Sequence, residues 1–324
     1  MTTASSVTAV HADWFAERYH TLLDNLELVI RGKTEVLELA LCCLFAEGHL
    51  LIEDVPGVGK TSIAKALATS IDASWHRVQF TPDLLPSDIT GVSIWDQRDQ
   101  RFEFHHGPIF AHLILGDEIN RASPKTQSAL LEVMEERQVT VDGVSYPVPR
   151  PFLVIATQNP IDMDGTYRLP EAQLDRFLMR IHVGYPDAGA EAEILDQRAL
   201  GGVAPTIGSV LDAAQVEHMI QVAANVHVDP AISRYVVALA RATRGRPEIR
   251  LGLSTRGALA LVRAAQARAI AARRSYVVPQ DVKAIAAAVI GHRILLTTEA
   301  EVEGRRLADV IDAVLAEVPV PVEA

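Results

Sequence analysis

The chain has 324 residues, of which 49% are apolar and only 5% aromatic, and its formal net charge is −11. This length exceeds what one compact core normally holds, and it predicts two domains with aliphatic cores. The acidic charge argues against a general affinity for DNA or RNA, because phosphate binding requires a basic surface, although a local basic strip is still compatible with it.

The compartment is predicted from what the sequence lacks. The N-terminus does not show a basic stretch followed by an apolar one, which is the order typical of a signal peptide. The longest apolar runs fall short of the about 18 residues that cross a bilayer. Cys42 and Cys43 are the only cysteines, and as adjacent residues they are expected to be free core side chains. We therefore expect a cytoplasmic protein without membrane insertion.

Strands and helices alternate in the first half of the chain. Residues 1–12 are expected to be a loose tail, and the elements predicted after it are helices over 13–30 and 33–47, a strand at 49–53, a helix over 60–70, and strands at 78–80, 113–115 and 152–156. This alternation predicts a parallel sheet with helices on both faces. Polar turns indicate two hairpins inserted into this α/β core, over residues 90–108 and 138–149.

Helices dominate the second half. They are predicted over 188–200, 212–226, 230–245, 255–274 and 280–292, and strands nearly vanish after residue 185. We therefore expect an α/β domain over residues 1–186 and a helical domain over residues 187–324.

The segment Asp54-Val55-Pro56-Gly57-Val58-Gly59-Lys60-Thr61 lies between a predicted strand and a predicted helix, which is the context of a phosphate-binding P-loop. Glycines let the backbone curl so that its N–H groups face phosphates, and the helix N-terminus adds positive potential. The residues expected to contact the nucleotide here are Gly57, Val58, Gly59, Lys60, Thr61 and Ser62. The alternative is a glycine-rich turn that happens to contain Lys-Thr.

One position departs from the P-loop pattern. Asp54 stands where the pattern begins with glycine. A carboxylate near phosphates weakens binding unless it points away or is paired, so we expect Asp54 to lie at the strand end with ordinary backbone angles. Replacing it with glycine should then change nucleotide affinity only modestly.

Two further strands end in polar residues that suit ATP chemistry. Asp117 and Glu118 follow the strand at 113–115, where Asp117 would hold Mg²⁺ through its water shell, next to the hydroxyl of Thr61. Glu118 would act as the general base for the attacking water. Asn159, after the strand at 152–156, could contact the γ-phosphate. A solvated strand end and a turn-forming Asn-Pro are the alternatives.

These segments resemble the AAA+ superfamily and, more narrowly, the MoxR family, close to magnesium-chelatase subunits and MCM helicases. The resemblance runs from about residue 28 to the C-terminus and is dense at 117–122, 125–131, 135–141, 156–160 and 169–177. It implies a P-loop AAA+ core with a parallel sheet and hairpin insertions, followed by a C-terminal all-α lid domain.

The resemblance also implies roles for individual residues. Lys60 and Thr61 match Walker A, Asp117 and Glu118 match Walker B, and Asn159 matches sensor 1. Two arginines gain roles that spacing alone does not give: Arg176 matches the arginine finger that reaches a neighbouring subunit's γ-phosphate, and Arg256 matches sensor 2 on the lid. Without the resemblance, Arg176 would be a helix-end arginine paired with Asp175 or Glu171. The implied cofactors are ATP and Mg²⁺.

The function implied by the resemblance is that of a chaperone-like ATPase. Such a protein would form a homo-oligomer, expected to be a hexameric ring, and would remodel, mature or insert metal into partner proteins, for which a von Willebrand factor A domain protein is the expected class. Two alternatives remain open. One is a nucleic-acid motor related to MCM helicases, which the acidic charge disfavours, and the other is a slow ATP-gated assembly switch.

Overall fold

The computed structural model describes residues 7–55, 57–159, 166–185, 188–189, 191–192 and 206–321. The predicted domain boundary between residues 186 and 187 lies outside the described residues. Most of the helix predicted over 188–200 does so too.

Two sets of elements build the molecule, the first ending at residue 181. It comprises α1 (Ala9–Glu27), α2 (Thr34–Phe45), β1 (Leu50–Glu53), α3 (Lys60–Ser70), β2 (Ile71–Asp72), β3 (Trp75–Gln79), α4 (Pro86–Thr90), β4 (Gly91–Asp96), β5 (Arg101–His106), β6 (Leu113–Asp117), α5 (Pro124–Glu136), β7 (Gln138–Val141), β8 (Val144–Pro147), β9 (Leu153–Gln158), α6 (Glu171–Leu174) and β10 (Met179–Ile181).

The second set is mostly helical. It comprises β11 (Leu211–Asp212), α7 (Ala213–Ala224), α8 (Pro230–Gly245), β12 (Ile249–Leu251), α9 (Thr255–Ala271), α10 (Pro279–Ile290), β13 (Leu295–Leu296), α11 (Thr298–Val302) and α12 (Leu307–Glu317).

The central sheet has five parallel strands in the order β10-β1-β9-β6-β3. Its inner strands are apolar except at their carboxyl ends, because both of their faces are covered. Alternate side chains enter different clusters, as the two-residue period of a strand requires. Leu50 and Ile52 face the cluster formed with α1, α2 and α3, whereas Leu51 faces the cluster formed with α5.

The lid is continuous with this core. Within the lid, α9 packs against α7, α8 and α10, and it also packs against α1 and α2 of the first set of elements. Side chains of the lid and of the sheet therefore belong to one hydrophobic cluster. No helix in the described part of the chain is long and apolar enough to cross a membrane.

The predicted α/β core with a parallel sheet, followed by a helical lid, is confirmed, and both hairpins are present. β4 pairs with β5 around a turn at residues 97–100, and β7 pairs with β8 around Asp142 and Gly143. These hairpins form separate two-stranded sheets outside the central one, as expected of insertions.

One prediction about the elements was wrong, and several elements were not predicted at all. The expected loose tail over residues 1–12 is helical from Ala9, because the Thr8 backbone N–H donates to Nδ1 of His11 (3.2 Å) and Ala12 is buried. Strand β10 was not predicted. It is three residues long and lies at the sheet edge, where only β1 pairs with it, so its short sequence carries little periodicity.

Candidate functional site

Three loops converge at one edge of the central sheet. β1, β9 and β6 are neighbours and parallel, so their carboxyl ends meet at the same edge. The P-loop follows β1, Glu118 follows β6 and Asn159 follows β9. Ligands of open α/β sheets bind at the carboxyl ends of strands. The topology therefore brings together residues that are up to about a hundred positions apart in the sequence.

The P-loop has the shape of an anion cradle. Gly57 and Gly59 adopt φ values of 88° and 90°, which side chains rarely tolerate. A Cβ added to either glycine would meet no atom within 4 Å, so the space in front of the backbone is open. Gly59 caps α3 without a side-chain hydrogen bond, and the first N–H groups of the helix therefore remain available to a phosphate.

Lys60 is folded back on the loop that carries it. Its Nζ donates to the carbonyl oxygens of Asp54, Val55 (3.3 Å) and Gln158 (3.4 Å). Burial lowers the pKa of Lys60, and the carboxylates of Asp54, Glu118 and Asp117 partly offset that effect. The carbonyl oxygens that accept from Nζ are weak, neutral acceptors, so a phosphate would be the better partner for the ammonium group of Lys60.

Asp54 turns its carboxylate away from the cradle. Its Oδ2 accepts hydrogen bonds from the backbone N–H groups of Val183 (2.8 Å) and Gly184 (2.6 Å), and its Oδ1 accepts one from Val55 (2.7 Å). Burial opposes ionisation, but these hydrogen bonds outweigh it and lower the pKa of Asp54. Asp54 directly follows β1 and its φ is not positive, which agrees with the ordinary backbone angles expected for it, and its carboxylate ties the P-loop to the segment after β10.

Thr61 and Asp117 form an oxygen-donor pair suited to Mg²⁺. The hydroxyl of Thr61 lies 3.2 Å from Oδ2 of Asp117, and the carboxylate is almost fully buried. Thr157 on β9 donates to Oδ1 (2.8 Å) and so fixes the orientation of the carboxylate. Hydroxyl and carboxylate oxygens are the ligands that Mg²⁺ prefers, and the cradle lies beside them. The residues present therefore fit a magnesium–nucleotide complex.

Arg77 on β3 reaches the same carboxylate. Its Nε and Nη2 lie 2.9 and 2.7 Å from Oδ2 of Asp117. The arginine side chain is 52% exposed, whereas that of Asp117 is 7% exposed. Arg77 therefore supplies the positive charge for Asp117 in this structure, at the oxygen that faces Thr61.

Glu118 adopts a left-handed backbone conformation, with φ 55° and ψ 51°. For a residue with a side chain this costs about 1–2 kcal/mol. The backbone N–H of Glu118 donates to Oγ1 of Thr157 (3.0 Å), which helps to hold the conformation. Its Oε2 accepts hydrogen bonds from Gln79 (3.2 Å) and Arg121 (2.8 Å). The carboxylate is therefore held beside the cradle by two donors.

Asn159 lies just beyond the end of β9 and is half-buried. The backbone carbonyl oxygen of Asn159 accepts a hydrogen bond from Nδ2 of Asn120 (3.2 Å). This bond links the segments that follow β9 and β6. Val58 is buried in the core, whereas Ser62 is exposed on the first turn of α3. Each of these predicted residues thus lies in or beside the cradle.

Arg176 and Arg256, the two arginines with predicted roles, lie next to each other but not in the cradle. Nε of Arg176 lies 2.9 Å from Oε2 of Glu135, and Nη1 of Arg256 lies 3.3 Å from Oε1 of the same carboxylate. Arg176 therefore pairs with Glu135 and with neither Asp175 nor Glu171 among the described ion pairs. Both arginines line a cavity of about 380 Å³. Among the described residues that line it, none belongs to the P-loop or to the ends of β6 and β9.

Sequence reasoning missed the partners of the predicted residues. Arg77, Gln79 and Thr157 lie on β3 and β9 and act on Asp117 or Glu118 through hydrogen bonds. Because β3 lies next to β6, with Gln79 opposite Asp117, polar residues at its end could have been suspected once the strand order was known. The sequence does not reveal strand order. Glu135 on α5 opens one of the segments that carry the family resemblance, but no role was predicted for it.

The chain matches two family descriptions. Residues 49–179 match the "ATPase family associated with various cellular activities (AAA)", and residues 241–314 match the "AAA lid domain". The first match covers the sheet from β1 to the start of β10, and the second covers most of the lid.

Similar proteins match almost the whole chain. It is 45% identical over 313 residues to the "Uncharacterized protein YeaC" of Bacillus subtilis, covering 95% of this chain and 98% of that protein. It is 41% identical over 323 residues to "Chaperone MoxR1" of Mycobacterium tuberculosis, covering 96% and 85%. "Protein MoxR" of Paracoccus denitrificans is 34% identical, covering 96% and 98%. A solved structure from Cytophaga hutchinsonii superposes with a TM-score of 0.88 at 37% identity, covering 96% and 97%.

Proposed function

This chain belongs to the MoxR family of AAA+ ATPases, and from that premise we propose that it hydrolyses ATP at sites shared between copies in a ring. The cycle would drive the remodelling of partner proteins. The observation that carries the proposal is the division of the predicted catalytic residues between two places, the cradle at the sheet edge and the cavity that Arg176 and Arg256 line.

The cradle residues bind and orient the nucleotide in this proposal. Backbone N–H groups around Gly57 and Gly59 contact the phosphates, and Lys60 leaves its carbonyl acceptors to bind the β- and γ-phosphates. Thr61 and Asp117 hold the magnesium ion, which when bound neutralises charge on the phosphate oxygens. Oδ2 of Asp117 would then bind the magnesium ion in place of Arg77.

Glu118 and Asn159 act on the attacking water. Glu118 accepts its proton as general base, and the left-handed backbone places this side chain at the sheet edge next to Lys60 and Asp117. Release of Gln79 or Arg121 would free Oε2 of Glu118 for this step. Asn159 orients the water or contacts the γ-phosphate from the neighbouring strand end.

Arg176 acts on the nucleotide of a neighbouring copy. Its cavity is lined by arginines, among them Arg176, Arg256, Arg150 and Arg263, and the last two make no ion pair within the described residues. A triphosphate held by an adjacent subunit would suit this excess of positive charge. Arg176 and Arg256 would then both serve the neighbour, each exchanging Glu135 for phosphate oxygens. An arginine supplied in this way contributes about 10³–10⁵ in rate in related phosphoryl transfers.

Subunit mixing tests the shared site. Lys60→Ala subunits should not bind ATP, and Arg176→Ala subunits should bind ATP but hydrolyse it at least about 100-fold more slowly than wild type. A mixture should regain activity, because an Arg176→Ala cradle then faces an intact Arg176 on a Lys60→Ala subunit. If the mixture stays as inactive as its components although mixed rings form, the shared site is wrong.

The proposed output is chaperone-like action on a partner protein. The similar Mycobacterium tuberculosis protein carries the name "Chaperone MoxR1", and a protein with a von Willebrand factor A domain is the partner class we propose. Maturation or metal insertion would be forms of the same action. In its native host, Glu118→Gln protein should bind ATP without turnover and retain its partner for crosslinking and identification, whereas Lys60→Ala protein should not. Recovery of nucleic acid instead would favour the motor alternative.

A slow ATP-gated assembly switch is the second candidate. The observation that favours it is that Gln79, Arg121 and Arg77 occupy the oxygens of Glu118 and Asp117 that catalysis needs. The effect of an added partner on ATP turnover separates the two candidates. A remodelling ATPase should show repeated turnover when its partner is added, whereas a switch should assemble on ATP binding and hydrolyse about one ATP per subunit per assembly cycle.

A further inference from the structure

Arg293 belongs to the lid, but its side chain is buried against the α/β domain. It lies three residues beyond the end of α10, and its side chain is only 3% exposed. Burial lowers the pKa of Arg293, and the carboxylate of Asp175 opposes this effect. A buried guanidinium is tolerated only where its charge and its N–H groups are satisfied, because the desolvation penalty is otherwise several kcal/mol.

All five N–H donors of Arg293 have acceptors, and four of them bind the segment that contains Arg176. Nε donates to Oδ1 of Asp175 (2.6 Å), and Nη2 donates to the carbonyl oxygens of Asp175 (3.2 Å) and Phe177 (2.6 Å). Nη1 donates to the carbonyl oxygen of Leu178 (3.0 Å) and to that of Val289 in its own helix. The guanidinium thus holds the backbone on both sides of Arg176.

The same guanidinium is linked to Arg176 through alternating charges. Asp175 binds Arg293 and also lies 4.0 Å from Nε of Arg256, and Glu135 then joins Arg256 to Arg176. This chain of five side chains crosses three times between the lid and the α/β domain. Gly257 follows Arg256 directly, and a Cβ there would lie 2.5 Å from Cδ1 of Leu253 and 2.9 Å from Cδ of Arg293. Glycine in the first turn of α9 therefore leaves room for both the Leu253 side chain and the Arg293 stem.

We infer that Arg293 is a positioning residue that sets the place of Arg176 according to the position of the lid. The inference rests on the proposed function, in which Arg176 acts on the nucleotide of a neighbouring copy. A lid displacement carries the guanidinium of Arg293 with it. The segment 175–178 then has to follow or lose its four hydrogen bonds to Arg293. Lid movement in one subunit thereby changes hydrolysis in the next.

Arg293→Lys is the first test variant. Lysine keeps the positive charge but has only three donors on one nitrogen, so it leaves at least two of the five acceptors without a donor. The cradle of the variant is untouched, so the Kd for ATP and the KM should stay at the wild-type values. The kcat should fall about 10- to 100-fold, because a displacement of about 1 Å in a catalytic group has effects of this size.

Arg274→Lys is the matched control. Arg274 also forms an ion pair with a buried carboxylate, Asp281 (2.6 Å), but its described contacts stay within the lid. Its replacement should lower the melting temperature by a similar amount without changing kcat. Asp175→Asn is a second test variant, which weakens the contact with Arg293 by changing its partner in the α/β domain. It should lower kcat as Arg293→Lys does. It keeps the inference testable should Arg293→Lys not fold.

Subunit mixing distinguishes a misplaced Arg176 from a damaged fold. Lys60→Ala subunits have intact Arg293 and Arg176, so adding them to Arg293→Lys subunits should restore hydrolysis, as it should for Arg176→Ala subunits. The inference is overturned if Arg293→Lys keeps the wild-type kcat, or if Lys60→Ala rescues Arg176→Ala but not Arg293→Lys. A failure to rescue Arg176→Ala itself would instead contradict the shared site and remove both proposals together.

Discussion

At the scale of single residues, the carboxylates of the candidate site are already occupied by side chains of the same chain. Arg77 holds Asp117 through two nitrogens, and Gln79 and Arg121 hold Glu118. The Arg77 side chain is half-exposed, and a doubly charged Mg²⁺ is a stronger partner for a carboxylate than a guanidinium, so a magnesium–nucleotide complex can displace it. Nucleotide binding therefore competes with internal contacts, and removing a competitor should ease it.

Arg77→Gln should lower the Mg²⁺ concentration needed for half-maximal binding of a fluorescent ATP analogue by about 3- to 10-fold. The glutamine removes the cation that neutralises Asp117, so the carboxylate attracts Mg²⁺ more strongly. Arg98→Gln is the matched control, since it makes the same charge change at the exposed turn between β4 and β5 and should leave the titration unchanged. An unchanged or higher Mg²⁺ requirement in Arg77→Gln would contradict the competition.

The sequence predicted the catalytic residue types better than their environment. The P-loop, Asp117 and Glu118 are recognisable because each follows an apolar strand in a fixed local pattern, and the structure brings them together. Arg77 and Thr157 were not predictable, since their contacts depend on which strands are neighbours. The pairing of Asp54 with residues 183 and 184 was foreseen only as a requirement that it be paired, because the partner lies after β10, a strand that the sequence did not reveal.

At the scale of elements, His49 joins α5 to the sheet. Its Nδ1 accepts a hydrogen bond from the backbone N–H of Val154 on β9 (3.0 Å), so its Nε2 carries the proton and donates to the carbonyl oxygen of Met134 on α5 (3.1 Å). Burial lowers the pKa of His49 to about 4, and the charge of Arg137 adds to this effect. Protonation would place an N–H group against the N–H of Val154, so the folded state requires the neutral ring.

His49 should make folding pH-dependent between its ordinary pKa and its folded one. In this window the unfolded chain binds a proton that the folded chain does not, so the free energy of unfolding decreases as the pH falls from 6.5 towards 4. From about pH 7.5 to about pH 5 the loss due to His49 should be about 2 kcal/mol. Urea unfolding of wild type and of His49→Gln, whose amide offers a donor and an acceptor but does not titrate, measures it as a difference. Parallel losses in both proteins would contradict this role.

Most elements were predictable because their periodicity survives in the sequence. The helix at Lys60–Ser70 and the helix at Pro230–Gly245 begin and end where expected, since the P-loop precedes one and Pro230 opens the other. The hairpins were predictable from their turns. Short elements such as β10 and the contacts of α9 with five other helices arise from tertiary packing, which local sequence does not encode.

At the scale of the whole molecule, the proposed shared site rests on the separation of the cradle from the arginine-lined cavity. One chain presents the phosphate-binding backbone, and the same chain presents Arg176 and Arg256 in a cavity whose described lining contains no cradle residue. Arg293 connects that cavity to the lid. An isolated subunit should therefore bind ATP but hydrolyse it very slowly.

The dilution dependence of ATP hydrolysis tests this account most directly. The specific rate of the wild-type protein should be measured over a wide range of protein concentrations at saturating Mg²⁺ and ATP, together with the assembled fraction by analytical ultracentrifugation. The account predicts that the specific rate falls in proportion to the assembled fraction as the protein is diluted. A specific rate that stays constant while the protein dissociates to single subunits would contradict the shared site.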